Sequence, residues 1–224
     1  YRRFPAGTRL HVLVRFLTCP FLRVLPSLPA GARSLLEIGA GHGVFSRLAR
    51  EAGVRQIVAI DPDARKVRTT EGITSVVGYG DAIRGTFDAV ALIDVLYVIP
   101  IDEWDRVLSS AAERLAGGGT LIVKEQDPTA RIKNGWNRVQ EWIAQKLLRV
   151  TMARAFSYES PGALMARLRR LGFADVMSRR IDRAYPHPHV LYVARKGALG
   201  VDPDAERSEG EGRKLTGQRQ SHRL

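Results

Sequence analysis

Leu35-Leu36-Glu37-Ile38-Gly39-Ala40-Gly41-His42-Gly43 reads as an apolar strand that runs straight into a glycine turn. Ser34 to Ile38 supplies the strand, and Gly43 to Ala52 predicts a helix with Val44, Leu48 and Ala52 on one face. Glycine tolerates positive φ and lets a ligand approach the main chain without a Cβ in the way. Further apolar runs follow. Gln56 to Ile60 closes on Asp61-Pro62, Gly72 to Val77 closes near Gly80-Asp81-Ala82, and Phe87 to Ile93 closes on Asp94-Val95. Asp102 is placed to cap a helix carrying Trp104, Leu108, Ala111, Ala112 and Leu115, which Gly117-Gly118-Gly119 stops before a fifth run, Thr120 to Val123. Strand alternating with helix predicts an α/β, doubly wound, parallel sheet covered on both faces, with its acid-bearing strand ends on the one edge where such sheets bind ligands.

Beyond Asp127-Pro128 the pattern changes. A long helix is predicted over about residues 134–155, with Trp136, Val139, Ile143, Leu147 and Val150 on one side, inside an insertion of about residues 131–155. A second helix is predicted over Pro161 to Leu171, then strands over Phe173 to Ile181 and Val190 to Ala194. The link between these last two is too short for a helical crossover, so the last strand is expected to be antiparallel. The expectation is a seven-stranded, mostly parallel sheet with helical lid additions. Residues 1–33 form a basic, apolar cap, 34–196 the α/β domain and 197–224 a polar, disordered tail.

At 45% apolar and 26% charged, the composition excludes collagen-like, disulfide-scaffold and wholly disordered classes. The single Cys19 suits a reducing compartment and leaves no second thiolate for a cysteine metal cluster, so no metal site is expected. The net charge is +12, and five acids balance five bases after Val201, so the excess lies in the folded part and favours an anionic partner. Leu10 to Leu25 is the most hydrophobic stretch, but Arg15, Pro20 and Arg23 interrupt it and it is too short to span a bilayer. No secretion signal is evident, which points to a cytoplasmic protein, with a leader upstream of Tyr1 left open.

The glycines at 39, 41 and 43, Asp61 twenty residues after Gly41, Asp81 after the third strand and Asp94 after the fourth together resemble the class I S-adenosylmethionine-dependent methyltransferases, over roughly Ser34 to Lys196. The resemblance implies S-adenosylmethionine as cofactor. It places the methionine part against Glu37, Gly39, Ala40 and Gly41, the ribose at Asp61, and the adenine amine at Asp81 with Ala82. Gly43, Pro62, Asp94 and Val95 complete the implied set. A dinucleotide-binding Rossmann site would need a glycine where Val44 stands.

Methyl transfer is an in-line displacement, so no unique catalytic residue is required. Tyr97, Glu125, Gln126, Trp136 and His187 are the acceptor-pocket candidates, with His187 and Tyr97 the candidate catalytic groups; His187 and His189 flank Pro188 in an expected exposed turn. Asp94-Val95-Leu96-Tyr97 lacks the prolines of the loop typical of amine and amide methylation, and Cys19 is far in sequence from the place of a cytosine-C5 nucleophile. Nucleic acid is therefore the less favoured acceptor, though an RNA-modifying enzyme and a non-catalytic binding module stay open as alternatives. The chain before Glu37 holds six arginines and no acid, and residues 131–154 hold six bases against Glu141. In the family that the chain resembles, such additions commonly cover the substrate side, so the resemblance implies a basic, apolar lid over the pocket. The expected acceptor is a small or lipid-like anionic amphiphile, with peripheral membrane or carrier-protein contact.

Overall fold

The computed structural model describes residues 5–68, 70–127, 157–185 and 187–197. Seven strands form one sheet in the order β3-β2-β1-β4-β5-β7-β6. They are β1 (Ser34–Ile38), β2 (Gln56–Asp61), β3 (Thr74–Val77), β4 (Phe87–Ile93), β5 (Leu115–Gln126), β6 (Phe173–Arg180) and β7 (His189–Lys196). The first five pair in parallel, and β7 runs antiparallel to both β5 and β6, as its short connection requires. Chain order reverses between β1 and β4, so the crevice above their carboxyl ends is the natural ligand site.

The helices are α1 (Ala6–Thr18), α2 (Phe21–Val24), α3 (Val44–Glu51), α4 (Trp104–Glu113) and α5 (Pro161–Arg170). Alternate residues of each strand feed two cores. Leu36, Leu92, Leu121 and Val123 meet Trp104 and Leu108 of α4 and Leu164 and Leu168 of α5. On the other face Leu35, Ala91, Ile93 and Ile122 meet Phe45 and Ala49 of α3, Phe21 of α2 and Val12 of α1. Full burial of a side chain such as Phe45 contributes about 2–3 kcal/mol. Ser160 caps α5 by accepting from the Ala163 N–H at 3.3 Å, and Pro161 opens its first turn.

Several boundaries depart from the sequence reading. The buried face of α3 is Val44, Phe45 and Ala49, while Ala52 is exposed, because the left-handed Gly43 sets the phase at which the helix starts. Asp102 lies in a short 3-10 turn and its side chain caps nothing; α4 begins at Trp104. Gly117 to Gly119 do not merely stop the helix but lie inside β5, which starts at Leu115. A Cβ on Gly119 would come within 2.9 Å of the Ala116 carbonyl and 3.2 Å of that of Asp88, so only glycine lets these backbones pass where the β4–β5 register shifts. β3 starts at Thr74, and no helix joins β2 to β3 among the described residues. There Asp61 accepts from the Asp63 N–H and Asp63 from that of Arg65, local bonds that compete with a helical turn. The helix expected over residues 134–155 and the tail from 198 onward lie outside the described residues.

Candidate cofactor and acceptor site

The glycine turn is a left-handed staircase, with φ of 69° at Gly39, 55° at Gly41 and 66° at Gly43. The N–H groups of Gly39 and Ala40 both donate to the Ile60 carbonyl, at 2.8 and 3.0 Å, which ties the turn to β2. A Cβ on Gly39 would meet Val95 at 2.6 Å, whereas one on Gly41 or Gly43 would meet nothing within 4 Å. The turn is thus packed on its β4 side and open above.

Two buried carboxylates hold this shape. Glu37 Oε2 accepts from the Ser46 N–H at 2.9 Å and the Ser46 hydroxyl at 2.5 Å, fixing α3 to β1. Burial pushes its carboxyl up to about 7, against the pull of the two Ser46 bonds. Asp61 Oδ2 accepts from the Gly41 N–H at 2.8 Å and Oδ1 from the Asp63 N–H at 2.9 Å. Ala40, Gly41, His42, Asp61, Lys66 and Thr70 border a shallow cleft beside the turn. Pro62 flanks it exposed, and Asp81 and Ala82 stand exposed in the 3-10 turn after β3. The expected cofactor residues thus gather along the carboxyl edge, with Glu37 Oε2 held by Ser46.

At the end of β4, Asp94 adopts φ 57°, a left-handed conformation uncommon outside glycine that clusters at functional sites. Its carboxylate accepts from Lys124 Nζ at 2.5 Å and from the Cys19 thiol at 3.5 Å, and Arg15 lies 3.8 Å away. Burial pushes the Asp94 carboxyl up, but Lys124 and Arg15 outweigh it and hold the group below its usual range. Lys124 is wholly buried. Glu125 Oε1 accepts from the N–H groups of Val95 and Leu96, at 3.0 and 2.7 Å, fixing the backbone that packs on Gly39. Its Oε2 is buried without a hydrogen-bond partner among the described residues. Burial and the charge of Asp94 push the Glu125 carboxyl up to about 8.

The fold brings Cys19 to the end of β4, contrary to its distance in sequence, but burial and Asp94 push its thiol up to about 12, far from thiolate. His189 is not in an exposed turn. It is a buried β7 residue opposite Gln126, with Nε2 3.0 Å from the Thr18 carbonyl, and burial and Lys124 press its pKa down to about 4. His187 is half-buried with its ring 6.3 Å from that of His189. Tyr97 stacks on Tyr158 at 6.4 Å, and burial and Asp94 raise its phenol pKa, so it stays protonated. Trp136 lies outside the described residues. Sequence reasoning missed Lys124 and Arg15; the signal was a lone cation closing the apolar run Thr120 to Val123, and one inside Leu10 to Leu25.

These shifts set a pH response. Glu37 and Glu125 titrate above their unfolded range, so each favours folding less as pH rises from about 4.5 towards 7 and 8. His189, and His42, which burial lowers to about 4, favour folding more as pH rises from 4 to 6.5. The pairs offset one another below pH 6.5, and only the carboxyls remain above it. The melting temperature is expected to fall between pH 6.5 and 8, and Glu125→Gln, which mimics the protonated acid, is expected to flatten that fall. A melting temperature that rises over this interval would contradict the assignment.

The sequence profile described as a methyltransferase domain matches residues 11–178, three quarters of the chain. A ribosomal protein L11 methyltransferase of Thermotoga petrophila is 24% identical over 155 residues, 61% of this chain and 56% of that relative, so the match spans little more than half of it. Among solved structures, an S-adenosylmethionine-dependent methyltransferase of Thermotoga maritima aligns at TM-score 0.62 with 20% identity, covering 85% of this chain and 94% of that one. Another, from Archaeoglobus fulgidus, aligns at 0.61 with 17% identity, covering 79% and 91%. With this strand order and glycine turn, the chain belongs to the methyltransferase domain family, of the class I, S-adenosylmethionine-dependent type.

Proposed function

We propose that the chain moves the methyl group of S-adenosylmethionine to a small or lipid-like, anionic acceptor. The observation that carries the cofactor half is the left-handed glycine turn, closed against Val95 and open above, with Asp61 buried beside it. The residues present fit the group. Gly39, Ala40, Gly41 and Gly43 offer unhindered backbone to the methionine part, with Glu37 beside them, its Oε2 holding Ser46. Asp61 takes one N–H on each oxygen and keeps a lone pair on each for ribose hydroxyls, with Pro62 shaping the bend. Asp81 with Ala82 would meet the adenine amine, and Asp94 with Val95 would close the methionine side. The cofactor, when bound, supplies an electrophilic methyl on a sulfonium.

An anionic acceptor needs no general base, which agrees with a site whose Tyr97 and Cys19 stay protonated. The basic cap and insertion favour the same charge. A second reading, a macromolecular acceptor, is favoured by the name of the L11 methyltransferase relative and by the +12 charge; methylation of RNA or ribosomal protein in place of acyl carboxylates, in a labelled-methyl assay, would select it.

The test is calorimetric titration with S-adenosylmethionine and, separately, with reduced nicotinamide cofactors. Saturable binding of the first alone is expected. Asp61→Ala is expected to weaken it about 10- to 100-fold, the worth of hydrogen bonds to a charged acceptor. Unchanged affinity in a folded Asp61→Ala protein would remove Asp61 from the site.

A further inference from the structure

α1 presents an apolar face that nothing described covers. Leu10, Leu13, Val14 and Leu17 recur at helical spacing on about a third of its circumference and are 61, 52, 49 and 62% exposed. Leu22 of α2 extends the row. The opposite face is anchored: Val12 is in the core, Arg15 donates to the Ile93 carbonyl at 3.3 Å, and the Thr18 carbonyl meets His189. Arg23 of α2 donates to the Ile181 carbonyl at 3.2 Å and lies over the Tyr185 ring, and Arg179 donates to the Arg23 carbonyl at 3.2 Å. The exposed leucines are therefore held in place by the body of the domain, not by a loose arm.

The surroundings of the row are cationic. Arg9 is exposed on its flank, Arg23 belongs to α2 and the exposed Arg179 bonds its carbonyl, while the chain before Glu37 holds no acid. No single described helix is long and apolar enough to cross a membrane; α1 and the segment Phe21–Ser27 reach that length only taken together, and they are bent by 50°. An apolar row flanked by arginines, on helices bent at Cys19-Pro20, matches the chemistry of a surface lying in a lipid headgroup layer.

We infer that α1 and α2 dock the protein on an anionic lipid bilayer, with Leu10, Leu13, Val14, Leu17 and Leu22 entering the interface and the flanking arginines meeting acidic headgroups. Because Arg15 and Cys19 join the other side of α1 to Asp94, docking sets the carboxyl ends of β4 and β5 beside the lipid surface. The inference goes beyond methyl transfer and holds or fails independently of it.

The experiment is co-sedimentation of the full chain with vesicles of phosphatidylcholine alone and of phosphatidylcholine with phosphatidylglycerol. Binding to the anionic vesicles alone is expected, weakened about tenfold or more by high salt and by Leu13→Glu/Leu17→Glu. That variant changes only exposed positions, so its melting temperature and its affinity for S-adenosylmethionine are expected to match the parent, which separates loss of docking from loss of fold or cofactor site. Equal binding to both vesicles would overturn the role of charge. Absence of binding would overturn the inference altogether. In that case a dimer that the variant abolishes in light scattering would assign the face to a second copy, and a monomer that the variant destabilises would assign it to residues 128–156.

Discussion

Replacing Lys124 by methionine is expected to destabilise the fold by about 3–5 kcal/mol, a drop of about 10 °C in melting temperature. The ammonium is wholly buried 2.5 Å from Asp94, whose remaining partners are the Cys19 thiol at 3.5 Å and Arg15 at 3.8 Å. Methionine fills the stem volume but leaves a carboxylate in an apolar surround with one distant cation. The sign with pH follows. In the parent, Asp94 is held below its unfolded range, so its contribution is present at neutral pH and lost as pH falls. Without Lys124 burial dominates, the carboxyl rises above that range, and the variant's deficit widens from pH 4 to 7. Asp94→Asn in the same background removes the stranded charge and is expected to recover part of the loss. Thermal melts at the two pH values decide the matter: equal deficits would mean that the pair is not electrostatically coupled.

Gly39→Ala is the second large effect, and it acts on the cofactor site. A left-handed φ of 69° costs a non-glycine residue about 1–2 kcal/mol, and the new Cβ would lie 2.6 Å from Val95, an overpacking worth about 1–3 kcal/mol more. Val95 cannot retreat freely, because Glu125 holds its N–H and that of Leu96. The turn must move instead, away from its bonds to Ile60, and affinity for S-adenosylmethionine is expected to fall about 10- to 100-fold. Val95→Ala added to Gly39→Ala removes the steric part and leaves the φ cost, so partial recovery of affinity is expected. No recovery at all would mean that the close approach of Gly39 to β4 is not what shapes the turn.

The two variants probe opposite ends of what was legible in the residues. Gly39 to Gly43 announced their conformation locally, because only glycine repeats left-handed backbone at alternate positions without strain. Lys124 gave a weaker sign, a cation ending an apolar run, with no indication of which strand end held its partner. Glu37 and Asp61 were legible as strand-end acids, but that Glu37 serves Ser46 and that Asp61 bridges the turn to its own strand end was not.

The sequence by itself determined the five parallel strands, the helices that follow β1 and β4, the glycine turn after β1, the acids at or just after the ends of β2, β3 and β4, and the antiparallel last strand. Each follows from local periodicity, backbone preference or the length of a link, and those act within a few residues. Only the tertiary structure decided that Arg15 and Cys19, 79 and 75 residues before Asp94 in the chain, close on its carboxylate. It also decided that His189 is buried, that the Gly117 to Gly119 run lies within β5, and that the apolar face of α1 looks outward. Periodicity reports that a helix has an apolar side, but which side meets the sheet is set by the partners that satisfy its buried charges. On α1 the bonds of Arg15 and Cys19 to the end of β4 turned Leu10, Leu13, Val14 and Leu17 to the surface.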